Sequence, residues 1–206
     1  MNTEFFDPIN IIIPKEQIFK RLGYDSKKTK ISSRQLQENE EIIYEAASLL
    51  ALKGSALRLK IKKISGAKLM LSEGISFESR LAVRILKGCQ EALLMGVTAG
   101  QAVIEEIKRL SQKDLSRAVI YDAVASESTD ACFGWIENYY HSQLSRESRK
   151  LTGKRISCGY ADFKLEYQKV IYRALNMKSL GINLTKSMIL VPEKSATGLT
   201  GIITLR

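Results

Sequence analysis

Hydrophobic positions recur along this chain with two periods, and their alternation gives a first map of the elements. The run Ile9–Ile13, bounded by Pro8 and Pro14, predicts a short strand, and Lys15–Leu22 predicts a short helix closed by Gly23. The polar stretch Asp25–Ser33 predicts a loop. Leu36, Ile42, Ile43, Ala46, Ala47 and Leu50 then keep helical spacing as far as Gly54, with Glu38, Glu40, Glu41 and Glu45 on the wet side. Strands are predicted at Leu57–Ile64 and Lys68–Leu71, joined as a hairpin around Ser65-Gly66. Ser79–Leu86 reads as a helix ending at Gly88, with Leu81, Ala82, Ile85 and Leu86 turned inward. The almost wholly apolar Ala92–Val97 has no wet face, which predicts a strand in the middle of a sheet. Thr98-Ala99-Gly100 then turns the chain into an amphipathic helix over Gln101–Leu110, with Gly100 allowing close backbone approach.

From Asp114 to about Lys150 there is no proline and only one glycine, Gly134, so the pattern predicts one long helix or two nearly collinear ones. Leu115, Val119, Ala123, Cys132, Trp135, Ile136 and Tyr139 form the expected buried stripe. Asp122, Ser126 and Asp130 are spaced by four, which places two carboxylates and a hydroxyl along one side of that helix. Beyond Gly153 the pattern predicts a strand at Arg155–Cys158, a Gly159-Tyr160 turn, a helix at Asp162–Leu175, a strand at Asn183–Val191, a loop at Pro192–Thr197 and a last strand at Ile202–Leu205. Interleaved strands and helices with hairpin neighbours favour an α+β fold over a doubly wound one: a mixed or antiparallel twisted sheet packed with helices. The expected organisation is a single domain over residues 1–206, with helices and strands in 1–110 and the long helix and following motif region in 111–206.

Composition narrows the chemistry. With 206 residues, 45% hydrophobic and 26% charged, the chain has the makeup of a globular domain with a sizeable core. No apolar run approaches the roughly 18 residues of a spanning helix, and Met1-Asn2-Thr3-Glu4 does not begin a secretory signal, so a cytoplasmic protein is expected. Three separated cysteines, Cys89, Cys132 and Cys158, argue for reduced thiols. A single histidine, His141, cannot build a His-Glu-x-x-His zinc site or a Cys/His cluster. A net charge of +10 invites an anionic partner such as nucleic acid. The basic clusters at Lys27–Lys30, Arg58–Lys63 and Arg146–Arg155 lack single-strand aromatic motifs or a helix-turn-helix, however, and Leu57–Lys62 alternates like the solvated face of a half-buried strand. Walker A, G-x-G-x-x-G and G-x-S-x-G templates are missing.

The most specific segment is Arg155-Ile-Ser-Cys-Gly159-Tyr160, followed by Leu184-Thr185-Lys-Ser187-Met188 and then Pro192-Glu-Lys194-Ser195-Ala-Thr197-Gly198. In this order the segment resembles the activation domain of cobalamin-dependent methionine synthase, with its Arg-x-x-x-Gly-Tyr turn, helix and Leu-Thr-x-Ser-x-x-x-x-Pro-x-x-Ser-x-Ser-Gly series. Leu22-Gly23-Tyr24 and the Val97-Thr98-x-Gly100 turn extend the similarity to the stand-alone proteins of that family over nearly the whole chain.

The resemblance implies S-adenosylmethionine as ligand, presented to cobalamin held by another module so that it is remethylated after reduction. It places Arg155 on the ligand carboxylate, Ser157 and Gly159 at backbone contacts, Tyr160 at the motif's aromatic, and Ser195 and Gly198 in the second half of the motif. Asp130 falls at the acidic partner of the amino group, with Glu127 or Ser126 as neighbouring registers. The partners implied are a cobalamin-binding methionine synthase or another corrinoid protein, with a flavodoxin- or ferredoxin-like electron donor. The chain would act in trans as an accessory to that methyltransferase. Leu199-Thr200 replaces the family's aromatic after Ser-Gly, and Ala161–Glu166 replaces a proline-rich segment ending in histidine. These departures motivate two other readings: a docking module for corrinoid proteins that does not use S-adenosylmethionine, and, from the charge, a nucleic-acid binder.

Overall fold

A computed structural model describes residues 2–24, 29 and 32–205, which leaves most of the expected 25–33 loop and the lysines of the 27–30 cluster outside the described residues. The elements are β1 (Glu4–Phe6), α1 (Lys15–Arg21), α2 (Ser33–Ser48), β2 (Lys53–Ser65), β3 (Lys68–Leu71), β4 (Ser76–Glu78), α3 (Arg80–Ile85), β5 (Glu91–Thr98), α4 (Ala102–Ser111), α5 (Leu115–Arg146), β6 (Arg149–Ile156), α6 (Gln168–Ala174), β7 (Asn183–Leu184), β8 (Leu190–Val191) and β9 (Ser195–Thr204). Seven strands form one sheet in the order β4-β3-β2-β5-β9-β6, with β1 added beside the first half of β2, while β7 and β8 make a separate small hairpin. Every strand pairing among the described residues is antiparallel, so the α+β architecture holds with an antiparallel sheet.

The central position of β5 follows from its composition. Successive strand side chains point to opposite faces, and both faces of β5 are covered. Leu93, Met95 and Val97 meet α5 and the N-terminal helices. Ala92 and Leu94 meet α3, α6 and the neighbouring turns. All eight positions of β5 are buried; the six between its ends carry no polar side chain, and the polar residues at the ends are partnered, Glu91 by Arg58 and Arg149 and Thr98 by Ser195. Gly100, at φ +87°, lets the chain turn from β5 toward α4; a Cβ there would lie 2.7 Å from that of Ala51.

Tertiary packing revises several local expectations. Ile9–Ile13 is extended but joins no sheet; prolines flank it, and Ile9 N–H donating to the Leu52 carbonyl at 2.8 Å replaces a ladder. The N-terminal strand is instead β1. Leu36 is exposed on α2, and Leu115 and Val119 are exposed on α5, where Ala118, Tyr121, Val124, Ala125 and Phe133 take the inward positions. Asp114–Lys150 forms a single 32-residue helix over Leu115–Arg146. The helix expected at Asp162–Leu175 begins only at Gln168, after a 3-10 turn at Leu165–Tyr167. Asp162 cannot start it because its carboxylate faces back to the start of α3, accepting from Ser79 Oγ at 2.7 Å and Arg80 N–H at 2.6 Å. Asn183–Val191 folds as the β7–β8 hairpin around Met188 at φ 63°. The last strand starts early: the Ser195–Gly198 positions of β9 already pair with β5, from Ser195 opposite Thr98 to Gly198 opposite Met95.

Candidate functional site

Strand β6 sets the first half of the site. Leu151 pairs with Ile202 and Arg155 with Thr200, so the chain between them is longer on β6 than on β9, with Gly153 at φ +68° taking up the extra length. This bulge keeps Leu151 and Arg155 on the same face, toward α5. The Arg155 guanidinium lies 4.1 Å from the centre of the Phe133 ring. It donates to Asp130 and stands 3.7 Å from the Glu137 carboxylate. Asp130, Phe133 and Glu137 occupy one side of α5, spaced to face a single neighbour.

Gly198 completes this cradle. A Cβ at Gly198 would meet Arg155 Cδ at 2.7 Å, Arg155 Cγ at 3.1 Å and Phe133 Cε1 at 3.1 Å, so the absent side chain is the space through which the arginine stem runs. Arg155 is thus held along its length by Gly198 and Phe133, while the Asp130 side chain is 67% exposed. Burial raises the Glu137 carboxyl above its ordinary value, Asp130 adds to that rise, and Arg155 opposes it.

The turn after β6 is anchored from within. Gly159, at φ +90°, donates its N–H to the Phe163 carbonyl at 2.8 Å, Phe163 N–H returns to the Tyr160 carbonyl at 2.9 Å, and Tyr160 N–H reaches the Ser157 carbonyl at 3.4 Å. Phe163 is fully buried beside Phe77 and Tyr167. The hydrogen bonds from Ser79, Leu81 and Arg80 hold the Asp162 carboxyl below the usual carboxylate range. The Tyr160 ring is left 66% exposed. Cys158 is turned inward, where burial pushes its thiol up to about 12 despite a hydrogen bond with Thr197.

Not every residue of the motif converges on Arg155. Ser195 Oγ donates to Thr98 Oγ1 at 2.8 Å, and the same Thr98 oxygen accepts from Gly100 N–H at 3.1 Å, so Ser195 closes the turn after β5. Thr197 is buried against Gln168, donating to its Oε1 at 3.0 Å on the face away from α5. Leu199 and Thr200 are both buried and offer no ring. His141, the sole histidine, is exposed on α5.

The other members of the acidic stripe meet a second cation. Lys194 Nζ lies 2.6 Å from Asp122 Oδ1 and donates to Ser126 Oγ at 2.8 Å. Glu127 pairs instead with Arg21 of α1 at 2.5 Å, beside a hollow of about 280 Å³ lined also by Gln17 and Lys20. The sequence therefore foretold the stripe but not its ligands. Phe133 and Glu137 were missed, although their helical spacing to Asp130 is a signal that could have found them; for Lys194 no such signal exists, because nothing in its local sequence says that its side chain returns to α5.

Sequence comparison adds little to this geometry: no family model and no curated protein matches the chain. Structural comparison decides. The crystal structure of the MetH reactivation domain bound to AdoHcy superposes with a TM-score of 0.70, covering 98% of this chain and 78% of that one at 12% identity. This is the fold of the MetH reactivation domain. The likeness spans the long helix, the sheet and the segment from Arg155 to Gly198 alike, since almost the entire chain is covered. Among the described residues no helix is long and apolar enough to cross a membrane, and no group of three or more His, Cys, Asp or Glu side chains is arranged to hold a metal ion.

Proposed function

We propose that this chain binds S-adenosylmethionine at the Asp130–Arg155 pair and, docked on a cobalamin-holding methionine synthase or another corrinoid protein, supports the reductive remethylation of that cobalamin. The observation that carries this reading is the pair itself: a carboxylate and a guanidinium from distant parts of the chain, side by side, on the fold of a domain that binds AdoHcy. An α-amino acid carries its carboxylate and ammonium on one carbon, so adjacent opposite charges are its complement. The Arg155 fork would take the carboxylate with two parallel hydrogen bonds and Asp130 the ammonium. Asp130 is exposed, so exchanging its contact with Arg155 for a ligand costs little. Phe133 and Gly198 keep the guanidinium in place when that contact is released.

The fit is less complete at the turn. The Gly159 and Tyr160 N–H groups are already used inside it, leaving carbonyl lone pairs, the Ser157 side chain and the exposed Tyr160 ring for a nucleoside. S-adenosylmethionine brings the sulfonium methyl that is transferred, and such a transfer needs alignment and exclusion of water more than acid–base help. Accordingly the residues named here bind and orient; none acts as a nucleophile. The chain acts in trans in the cytoplasm, with cobalamin held by its docking partner and electrons supplied by a donor of flavodoxin or ferredoxin type.

The test is calorimetry with S-adenosylmethionine and AdoHcy. Arg155→Ala abolishes binding while the circular dichroism spectrum is retained; unchanged affinity refutes the site. A second reading, docking on a corrinoid protein without S-adenosylmethionine, draws support from the committed turn amides and the buried Leu199-Thr200. Thermal shift separates the two, because a ligand at a hundred times its dissociation constant adds about 2.7 kcal/mol of stability.

A further inference from the structure

The extended segment after β1 leaves main-chain bonding capacity unused. Phe6 pairs with Gly54, Ile9 N–H donates to the Leu52 carbonyl at 2.8 Å, and beyond that bond the two chains part around a hollow of about 310 Å³ lined by Ile9, Ile11, Leu50 and Leu52. Among the described residues, no hydrogen bond within the chain uses the N–H or C=O groups of Asn10, Ile11 or Ile12. Because Ile9 turns its N–H toward β2, strand alternation turns the N–H and C=O groups of Asn10 and Ile12 to the other edge, which no strand covers. Side chains alternate too. Ile9 is buried and Ile11 and Ile13 are half-buried against the core, whereas Asn10 is exposed and Ile12 is 94% exposed. An open edge carrying so exposed an isoleucine is a template for pairing with another chain.

The sequence of this edge names the chain that fits it. Asp7-Pro8-Ile9-Asn10-Ile11-Ile12-Ile13-Pro14-Lys15 reads nearly the same from either end, with opposite charges at its two ends. We infer that two copies of this chain associate by antiparallel pairing of Ile9–Ile13 across a two-fold axis at Ile11. In that register Asn10 of each copy exchanges both main-chain hydrogen bonds with Ile12 of the other, which are the groups left unpaired on the open edge. Ile9 comes opposite Ile13, so the Ile9, Ile11 and Ile13 side chains of both copies make one apolar layer. Pro8 comes opposite Pro14, outside the ladder at each end, where no donor is needed. Asp7 comes opposite Lys15. Their present partners, Lys53 at 2.8 Å and Glu40 at 3.1 Å, form exposed pairs, so exchanging them costs little. A foreign strand finds the same edge, but a second copy brings matching isoleucines, prolines and charges in a single register, the self-complementary arrangement of a two-fold interface.

The experiment is sedimentation velocity of the full chain from micromolar to submillimolar concentration at physiological ionic strength. The wild type passes from monomer to dimer as concentration rises. Ile12→Pro removes an N–H that has no partner within the chain, at a position already extended, so the thermal midpoint of the dilute protein is unchanged. It weakens the dimer about tenfold or more, since the same bond is lost on both sides of the axis. Asp7→Lys and Lys15→Asp each weaken self-association, because like charges then meet at both ends. Mixed in equal amounts, these two variants associate with each other, since each end again meets its opposite. A wild type that stays monomeric throughout, or a dimer indifferent to Ile12→Pro, overturns the inference. Charge variants that fail to associate when mixed, with circular dichroism spectra of folded protein, overturn the register.

Discussion

Two glycines flanking the Phe133–Arg155 stack should respond to alanine with opposite signs, and the structure supplies both magnitudes. At Gly198 the added methyl would press on Arg155 Cδ at 2.7 Å and on the Phe133 ring at 3.1 Å, well inside the ordinary carbon separation of about 3.5–4 Å. The ring is 2% exposed and cannot retreat, so the arginine stem must leave. Overpacking of this kind costs about 1–3 kcal/mol, and losing the stacking on Phe133 adds about 0.5–1 kcal/mol. Because the Asp130 side chain is 67% exposed, losing its ion pair adds little. A total of about 3 kcal/mol corresponds to a fall in Tm of about 6–12 °C for a chain of this size. At Gly134 the same methyl meets nothing within 4 Å and sits inside a regular helix, so alanine gains about 0.5–1 kcal/mol. Urea titrations and thermal melts of the two variants measure both. A Gly198→Ala protein as stable as wild type, or a Gly134→Ala protein that loses stability, would refute the packing described around Arg155.

Further outcomes are expected elsewhere. Arg58 bridges the buried Glu91 and the exposed Glu147, with Arg149 as the second partner of Glu91, so Arg58→Ala should cost about 1.5–3 kcal/mol by urea titration. Asp162, Glu106 and Glu147 are held below their ordinary values by hydrogen bonds from Ser79, Arg109 and Arg58 respectively. The stability they contribute is complete above the unfolded carboxyl range of about pH 4 and is lost as pH falls through the lower folded values; the stability of Asp162→Asn should therefore fall less steeply in acid than that of wild type. Cys132, fully buried and pushed to about 12 chiefly by that burial, should resist alkylation at pH 8 in the folded protein and react on addition of urea, whereas the half-buried Cys158 should label faster than Cys132. Rapid labelling of Cys132 in native buffer would contradict its burial.

Periodicity alone located α5, the β2–β3 hairpin and the two-sided burial of β5, because in each the physical rule acts within one segment. A strand with no polar position has nowhere to go but the middle of a sheet, and a long run without proline and with one glycine stays helical. The family resemblance put Arg155 and Asp130 forward as contacts to opposite charges of one ligand, with Glu127 and Ser126 as neighbouring registers for the acidic one; that Asp130 is the carboxylate beside Arg155 is visible only in the structure. Tertiary structure decided what local rules cannot reach. Ile9–Ile13 has the pattern of a strand, yet flanking prolines and a single hydrogen bond to Leu52 keep it out of the sheet. Asp162 has a helix-starting character that is spent on α3 instead of its own segment. Ser195 and Gly198 lie in the same motif, but strand alternation and the pairing with Thr98 send the Ser195 hydroxyl to the turn after β5, while Gly198 opens the cradle for Arg155. The acidic stripe on α5 was visible as spacing; that Lys194 and Arg155 each claim one end of it depends on β6 and β9 lying beside the helix, and only long-range strand pairing puts them there.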